Sequence, residues 1–354
     1  MTVKQNFDDL EFPADHPGRS KTDTYYLNAA HVLRTHTSAH EVETFSRGSD
    51  AWLLTADVYR RDEIDSSHYP VFHQMEGANV VTEQGVELLA SENKEMERLL
   101  QDSNIVISDP TREETSTNSY QLVHDKVHAR VIADHLKNSL NTMVLSLFAR
   151  GGVVSRNTDP LQVRWVEAYF PWTQPSFEME VLYRGEWLEL LGSGVMSQDT
   201  LRRSGVGHKM GWAFGLGLER IAMVLFGIPD IRLFWSQDPR FLSQFTPGTI
   251  STFEPYSRYP PCYKDFSFWL GDGKESFHEN DFCEVVRDIA GDLVEGVSLV
   301  RPRRCAIHSC HADKQTCRWT TSSTQRQKTA ACATASTTAP WTGAPPAASK
   351  LFVR

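Results

Sequence analysis

The chain has 354 residues, which is enough for two domains that each enclose a core. With 40% hydrophobic and 23% charged residues its composition is that of a globular protein, and its apolar runs are too short to cross a bilayer. A net charge of −9 argues against a simple basic nucleic-acid binder. The first residues show neither a signal peptide nor an arginine-rich presequence.

The first elements predicted along the chain are a loop-rich start and a long hairpin. "HTSAHEVETFSR" is typical of a turn that opens a helix, with Thr37 or Ser38 as its cap. "AWLLTADVYRR" and "YPVFHQMEGANVV" are β-leaning runs on either side of a polar stretch. We expect these two runs to pair as an antiparallel hairpin.

The middle of the chain predicts helices followed by neighbouring strands. Residues 83–108 and 113–148 favour helices, because apolar residues recur with a helical period. "LQVRWVEAYF", "SFEMEVLYRG" and "EWLELLGSGVM" are strand candidates, with Arg184 and Gly185 as the turn between the last two. "GWAFGLGLERIAMVLFGI" predicts a long helix that begins with glycine.

The last part of the regular pattern predicts a linker and the start of a β-α-β unit. Residues 240–262 are rich in Ser, Thr and Pro and indicate a linker. Strand "KDFSFWL", helix "ENDFCEVVRDIAGDLV" and strand "GVSLV" follow. The core face expected for this helix consists of Phe282, Val285, Val286, Ile289 and Leu293.

The stretch "RRDEIDSSHYPVFHQMEG" concentrates polar side chains between the two strands of the hairpin. Arg60 could bind a phosphate with both arms of its guanidinium group. Gln74 and Glu76 share one strand face, where a carboxylate suits an ammonium group. A charged hairpin tip that faces water explains the same pattern equally well.

Two further clusters suggest a pocket. Phe170 and Trp172 lie two residues apart, so their rings could form a slot for an aromatic guest. In "GWAFGLGLER" the small residues Ala213 and Gly215 would let a ligand approach the backbone, and Arg220 could reach a polyphosphate. Ordinary core packing is the commoner explanation of such rings, and helix packing that of such glycines.

The segment "HTSAH" is a weaker signal. His36, Ser38 and His40 could donate hydrogen bonds to a carboxylate or a phosphate. Residues of this kind are more often capping and turn residues.

Taken together these stretches resemble the class II aminoacyl-tRNA synthetases. "YRRDEIDSSHYPVFHQMEG" resembles motif 2 of that class, and "GWAFGLGLERIAM" resembles its motif 3. "NFDDLEFPADHPGR" and "FPWTQPSFEME" resemble the phenylalanyl branch, and the directly fused "YPPCYKDFSFWL" is similar to its mitochondrial type. The resemblance implies an α+β fold, with a catalytic antiparallel sheet flanked by helices and a truncated ferredoxin-like anticodon-binding domain after it.

The resemblance also implies residue roles. Arg60 would bind the α-phosphate of ATP, Arg220 the γ-phosphate, and His68 would lie near the phosphates. Glu189 is a weaker candidate for holding Mg²⁺. The residues that would bind phenylalanine are Ser38, with His36 nearby, at its carboxylate, Gln74 and Glu76 at its ammonium group, Phe170 and Trp172 around its ring, and Ala213 and Gly215 below the ring. Ala39 and His40 are further candidates for substrate binding. Since the family usually has Phe at the position of Trp172, the pocket is expected to be reshaped.

The implied activity is that of a phenylalanine–tRNA ligase. Its substrates would be ATP, phenylalanine and tRNA(Phe), with Mg²⁺ as the metal ion. The resemblance further implies a monomer in the mitochondrial matrix, with no membrane contact. Two alternatives are the catalytic subunit of a two-subunit form and a synthetase-like RNA-binding or regulatory protein whose charging activity is impaired.

The resemblance divides the chain into parts and ends before the C-terminus. Residues 1–239 would be the catalytic domain, 240–262 a linker and 263–300 a partial anticodon-binding domain. Residues 301–354 carry nine Lys or Arg, one acid and four of the six cysteines, without hydrophobic periodicity. This tail is predicted to be disordered.

Three origins or functions are open for the tail. A basic arm could touch tRNA. A metal knuckle could form from Cys305, His308, Cys310, His311 and Cys317, although their spacing is not a standard zinc pattern. The third hypothesis is a retained intron at about residues 301–317 that shifts the reading frame, and it accounts for the most features of the tail. If the codons after it are read in a shifted frame, the genetic code permits an amino-acid sequence that looks like the family's next strands.

Overall fold

The computed structural model describes residues 1–152, 159–255, 261–269, 278–291, 294, 296–299 and 316–324. The chain forms two compact units. The first unit consists of Met1–Arg60, Pro70–Pro229 and Ser243–Phe253, and the second of Arg61–Tyr69, Asp230–Leu242 and Glu254–Arg354. The predicted division was contiguous, with its first boundary at residue 239, whereas the stretch 61–69 inside the hairpin belongs to the second unit.

The elements have the following bounds. The helices are α1 Val3–Asn6, α2 Glu41–Ser46, α3 Glu83–Gln101, α4 Lys126–Arg150, α5 Gln198–Arg203, α6 Leu218–Phe226, α7 Pro239–Leu242 and α8 Glu279–Ala290. The strands are β1 Tyr26–Asn28, β2 His31–Val32, β3 Ala51–Tyr59, β4 Val71–Val81, β5 Ile105–Ser108, β6 Leu161–Phe170, β7 Thr173–Tyr183, β8 Glu186–Met196, β9 Met210–Gly217, β10 Pro261–Trp269, β11 Gly296–Leu299 and β12 Thr316–Thr324. None of the described helices combines the length and the apolar character that crossing a bilayer requires.

A mixed sheet organises the first unit. Among the described residues it has seven strands in the order β3-β4-β9-β8-β7-β6-β5. Every neighbouring pair is antiparallel except β5 and β6, which run parallel. The class II type of sheet flanked by helices therefore agrees with the prediction, and the parallel β5–β6 pair is the departure from a purely antiparallel sheet.

The two faces of this sheet differ in side-chain size. On β9 the large residues Trp212, Phe214 and Leu216 enter the main core together with Ile132 and Leu136 of α4. Successive strand residues point to opposite faces, so the small residues of β9 lie on the other face. A shallow floor is thereby formed on the side of the sheet away from α4.

The predicted helix "GWAFGLGLERIAMVLFGI" is wrong in its first half. Met210–Gly217 is a strand, and the helix begins only at Leu218. The alternation of small and large residues in this stretch has the period of a strand, and that period decides its conformation.

The other predictions for the first unit hold with changed boundaries. The hairpin of β3 and β4 is confirmed, as is the turn at Arg184 and Gly185, whose φ angles are 53° and 86°. The helix predicted at 83–108 ends at Gln101, and β5 follows it. The helix predicted at 113–148 begins later, at Lys126, because the Asp125 side chain caps it.

The segment at residues 36–40 forms a short turn rather than a capped helix start. Thr37–His40 is a single 3₁₀ turn that continues into α2. Neither this turn nor α2 has a side-chain cap, so the predicted capping by Thr37 or Ser38 is wrong. Both side chains are buried instead.

The described part of the second unit contains a small sheet in the order β10-β12-β11. Cys283 of α8 packs in its core with Ile64, Val294 and Val297. Of the predicted helix face, Phe282 and Val286 pack against this core, whereas Val285 and Ile289 are exposed. The buried stripe is thus rotated about the helix axis, and Leu293 lies outside the described residues.

Strand β12 differs from the disorder predicted for residues 301–354. It lies between β10 and β11 and is antiparallel to both. Its sequence, "TCRWTTSST", is rich in threonine, whose branched side chain favours extended backbone. Residues 301–315 and 325–354, with most of the proposed metal knuckle, lie outside the described residues.

Candidate functional site

A row of four residues crosses the sheet of the first unit. Glu178 of β7 is opposite Gly192 of β8, Gly192 is opposite Gly215 of β9, and Gly215 is opposite Glu76 of β4. Directly opposed residues of antiparallel strands point to the same face. Two carboxylates therefore flank a floor that carries no side chain.

Two predicted ligand-binding side chains cover this floor. A β-carbon at Gly192 would lie 2.6 Å from the Phe170 ring, and one at Gly215 would lie 2.5 Å from Nε2 of Gln74. Glycine is thus required at both positions because another side chain lies directly against the backbone, and not because of an unusual backbone angle. Ala213, the next residue of the predicted floor, is buried against Ala78 and Phe45.

Aromatic rings form a wall beside the floor. The Trp172 ring is stacked on His36 and on Phe12, each with a centroid separation of 5.2 Å. Phe170 lies 5.7 Å from Trp172 at a tilted angle. The structure therefore brings the predicted pair of rings together and adds Phe12 to them.

The segment at 36–40 packs against β4. Ser38 and Ala39 are buried, and the Thr37 amide donates to Oε1 of Gln74 at 3.1 Å. Nε2 of His40 lies 3.0 Å from the guanidinium of Arg34, and its predicted part in substrate binding stays a prediction. Burial and the nearby Arg34 lower the pKa of His40.

His36 is an uncharged ring in this setting. Burial and the charge of Arg60 lower its pKa to about 3. Its Nε2 lies 2.9 Å from the carbonyl oxygen of Asn6, so this nitrogen carries the proton and donates it there. The structure thus gives His36 a place in the wall, whereas donation to a substrate carboxylate would need a different tautomer.

Glu76 is buried together with Glu41 of α2, at 1% and 0% exposure. Burial raises the pKa of Glu76 to about 7, and burial and the Glu76 charge raise that of Glu41 well above its usual range. Within the described part of the chain none of the four carboxylate oxygens has a hydrogen-bond partner. Such a pair favours a cationic guest.

The two predicted arginines lie at one end of the sheet. Arg60 follows β3, donates from Nε to the Thr35 carbonyl at 2.9 Å and lies 5.3 Å from the Phe72 ring centroid. Arg220 stands in the first turn of α6, which follows the β9 residue opposite Gln74. Phe72 and Gln74 are close neighbours on β4, so Arg60 and Arg220 lie at the same end of the sheet.

Arg220 is paired with an acidic cluster. Its Nη1 lies 3.2 Å from a carboxylate oxygen of Glu189 and 3.1 Å from the Glu189 carbonyl oxygen. Burial and the charges of Glu189 and Glu180 raise the pKa of Glu178 to about 7. Carboxylate oxygens are the ligands that Mg²⁺ prefers, so Glu178 and Glu189 suit a divalent cation.

His68 belongs to the second unit. Its Nδ1 lies 2.7 Å from Asp65, which also accepts from the Ser67 amide. Glu63, Asp65 and His68 place ligand atoms within 4.8 Å of one another. The predicted role of His68 near phosphates stays a prediction.

Sequence reasoning missed Glu41, Phe12 and Glu178. For Glu178 a signal existed, since "FEME" in a strand places Glu178 and Glu180 on one face. Glu41 and Phe12 gave none, because their partners are distant in sequence.

The glycine floor between two carboxylates, with two arginines at the same end of the sheet, is the arrangement that the resemblance to class II synthetases implies. The model of the tRNA synthetases class II core domain (F) matches residues 2–107 and 105–245. The chain is 48% identical over 330 residues to "Phenylalanine--tRNA ligase, mitochondrial" of Saccharomyces cerevisiae. The matched region covers 85% of this chain and 70% of that protein. The protein of that name from Mus musculus is 46% identical (85% and 62%), and "Phenylalanine--tRNA ligase, chloroplastic/mitochondrial" of Arabidopsis thaliana is 48% identical (85% and 59%).

The chain belongs to the phenylalanine–tRNA ligases of the organellar type. It spans between 59% and 70% of the length of these three relatives.

Proposed function

We propose that the chain is a phenylalanine–tRNA ligase of mitochondria, which activates phenylalanine with ATP and transfers it to tRNA(Phe). The observation that carries this proposal is the floor of Gly192 and Gly215, with rings on one side, the buried carboxylates of Glu41 and Glu76 on another, and two arginines at its end. Each feature matches one part of the two substrates.

The amino acid is placed by three kinds of contact. Its ring would lie against Phe170 and Trp172, beside the glycine floor, and its ammonium group would face Gln74 and Glu76. Ser38 lies in the turn beside Glu76 and would take the carboxylate. A tyrosine hydroxyl would enter an apolar end without a partner, which disfavours that substrate.

Activation needs charge stabilisation more than proton transfer. The phenylalanine carboxylate attacks the α-phosphorus of ATP, the bond to the bridging oxygen breaks, and pyrophosphate leaves. Arg60 would hold the α-phosphate and Arg220 the γ-phosphate, so both stabilise charge that develops during the displacement. Glu178 and Glu189 would hold Mg²⁺, which neutralises the phosphates when it is bound.

Transfer requires the terminal ribose of tRNA to reach the adenylate. We infer that residues 263–300, with β12 in the same sheet, are part of an anticodon-binding domain. The described part of its sheet has three strands, whereas the ferredoxin-like domain implied by the resemblance has four. Activation is therefore expected to be robust and charging of tRNA(Phe) weak, because an incomplete sheet is poorly covered.

Two assays test the proposal. Pyrophosphate exchange with ATP, measured with each of the twenty amino acids, should be strong with phenylalanine alone, and aminoacylation of tRNA(Phe) should be slower than activation. Exchange that depends on another amino acid would contradict the proposed substrate. Absence of exchange with all twenty would favour an RNA-binding or regulatory role, and equal, robust activity in both assays would contradict the weak charging.

A further inference from the structure

Among the described residues, the pair of Glu41 and Glu76 lacks a counter-charge. Glu41 opens α2 and Glu76 lies in the middle of β4, and their side chains meet with essentially no exposure to water. The hydroxyl groups of Thr37 and Ser38 lie close to Glu76, but among the described residues none of them reaches hydrogen-bonding geometry with either carboxylate. Two buried carboxylates in contact cannot both be ionised without a large cost.

In the part of the chain that the structure describes, the charged groups on neighbouring elements have other partners. His36 is neutral and donates to Asn6, and His40 faces Arg34. Arg60 donates to Thr35. On α5, Arg202 pairs with Asp199, and Arg203 pairs with Glu11. A proton is therefore the cation that remains for the empty pair.

We propose that Glu41 is a positioning residue which shares one proton with Glu76 in the empty site, and that the ammonium group of the amino acid replaces this proton on binding. This inference rests on the proposed function, which supplies an ammonium group at Glu76. The step balances: a pair with one proton and an amino acid with its ammonium group give a complex with two carboxylates, and one proton passes to solvent.

The raised pKa values of both carboxyl groups agree with this exchange. Above about pH 7 Glu76 is largely ionised, and its charge together with burial keeps one proton on Glu41. A cation within contact distance lowers both pKa values. Linkage then requires the dissociation constant of phenylalanine to fall about tenfold for each unit by which the pH rises between about 7 and 8.

Calorimetric titration of the full chain tests the inference. L-phenylalanine is titrated at pH 7, 7.5 and 8 in two buffers with different ionisation enthalpies, so that the difference in heat counts the protons released. About one proton per bound phenylalanine is expected. L-phenylalaninol, which keeps the ammonium group, should release it too, and 3-phenylpropanoate, which lacks that group, should not.

Matched variants assign the proton to the pair. In Glu41→Gln the neutral amide cannot share a proton, so the proton count and the pH slope of the dissociation constant should fall by at least half. Glu43→Gln, an exposed residue of the same helix, should behave as the wild type.

The outcomes separate this inference from the proposed function. Wild-type protein that supports phenylalanine-dependent pyrophosphate exchange, but releases no proton on binding, overturns the inference alone, even if Glu41→Gln does not fold. Equal proton release from the wild type and Glu41→Gln overturns it as well. Absence of any phenylalanine-dependent exchange in the wild type overturns both.

Discussion

At the scale of single residues, the proposed pocket depends on two glycines whose missing side chains leave room for others. Gly215 lies beneath Gln74, and Gly192 lies beneath Phe170. The two glycines are opposite each other on β8 and β9, so any added methyl group enters the same small space. Pocket volume is therefore set by backbone positions rather than by the rings alone.

We expect Gly215→Ala to raise the KM for phenylalanine by about tenfold or more, since one misplaced methyl group in a close-packed site costs roughly 1–3 kcal/mol. The new β-carbon would displace Gln74, which is held by the Thr37 amide. Ser91→Ala is the control, because Ser91 is an exposed residue of α3, which packs on the opposite side of the sheet. Pyrophosphate exchange at varied phenylalanine measures both, and equal KM values for the two variants would refute the floor.

A second residue-scale prediction concerns Arg220. Arg220→Ala should lower kcat for pyrophosphate exchange by about 10²–10³-fold, because a group that stabilises developing charge is lost. Arg47→Ala is the control, since Arg47 also pairs with one glutamate but is far more exposed. A change in KM for ATP with kcat unaltered would assign Arg220 to ground-state binding only.

At the scale of elements, the sequence predicted hairpins and turns, which depend on neighbouring residues, but it did not predict a strand that is buried on both of its faces. The hairpin of β3 and β4 and the turn at Arg184 follow from short-range signals, and both are confirmed. Strand β9 was mistaken for a helix because both of its faces are buried, Trp212 towards one cluster and Ala213 towards another. A continuous apolar run does not by itself distinguish a strand from a buried helix.

The same limit applies to the candidate site. Arg60, Gln74 and Glu76 follow each other along one hairpin, so their shared face could be anticipated. The contact of Glu41 with Glu76 joins a helix start to a strand interior, and only the packed fold creates it. Spacing in sequence carries no information on such a pair.

A buried ion pair fixes helix α4 to the loop after β5. Lys137 donates to Asp109 at 2.9 Å and to the Thr111 hydroxyl at 2.8 Å, and its ammonium group lies over the Phe177 ring. Lys137→Met should therefore reduce the free energy of unfolding by about 3 kcal/mol, because Asp109 loses its buried partner. Lys126→Met on the same helix should leave the stability nearly unchanged, since that ion pair is exposed. Urea denaturation compares the two variants, and equal effects would contradict the role of burial.

At the scale of the whole molecule, binding chemistry and stability of the fold oppose each other. Glu41, Glu76 and Glu178 are carboxyl groups whose pKa values folding raises, because burial and neighbouring charges disfavour their ionised forms. Groups of this kind weaken the ligand-free fold as they ionise, and they are retained where a ligand later compensates the charge. The empty site is thus expected to be a source of instability at high pH.

Glu76→Gln makes this opposition measurable. An unfolded glutamate titrates near pH 4.3, whereas folded Glu76 titrates at about 7, so the folded state binds more protons between these values. The contribution of this group to the free energy of unfolding is then largest below the unfolded pKa and declines as pH rises towards 7. Glutamine does not titrate, so the variant should lack this decline. The free energy of unfolding of the variant minus that of the wild type should therefore be about 1–3 kcal/mol larger at pH 8 than at pH 5.

Urea denaturation of ligand-free protein at pH 5 and pH 8 measures this gain, with Glu43→Gln as the exposed control. Phenylalanine-dependent pyrophosphate exchange should fall in the same Glu76→Gln variant, because the ammonium group loses its counter-charge. A variant that is less active and yet more stable at pH 8 is the combination expected of a residue held in place for its ligand. A variant that is destabilised equally at both pH values would instead identify Glu76 as part of the packed core, with no electrostatic cost to relieve.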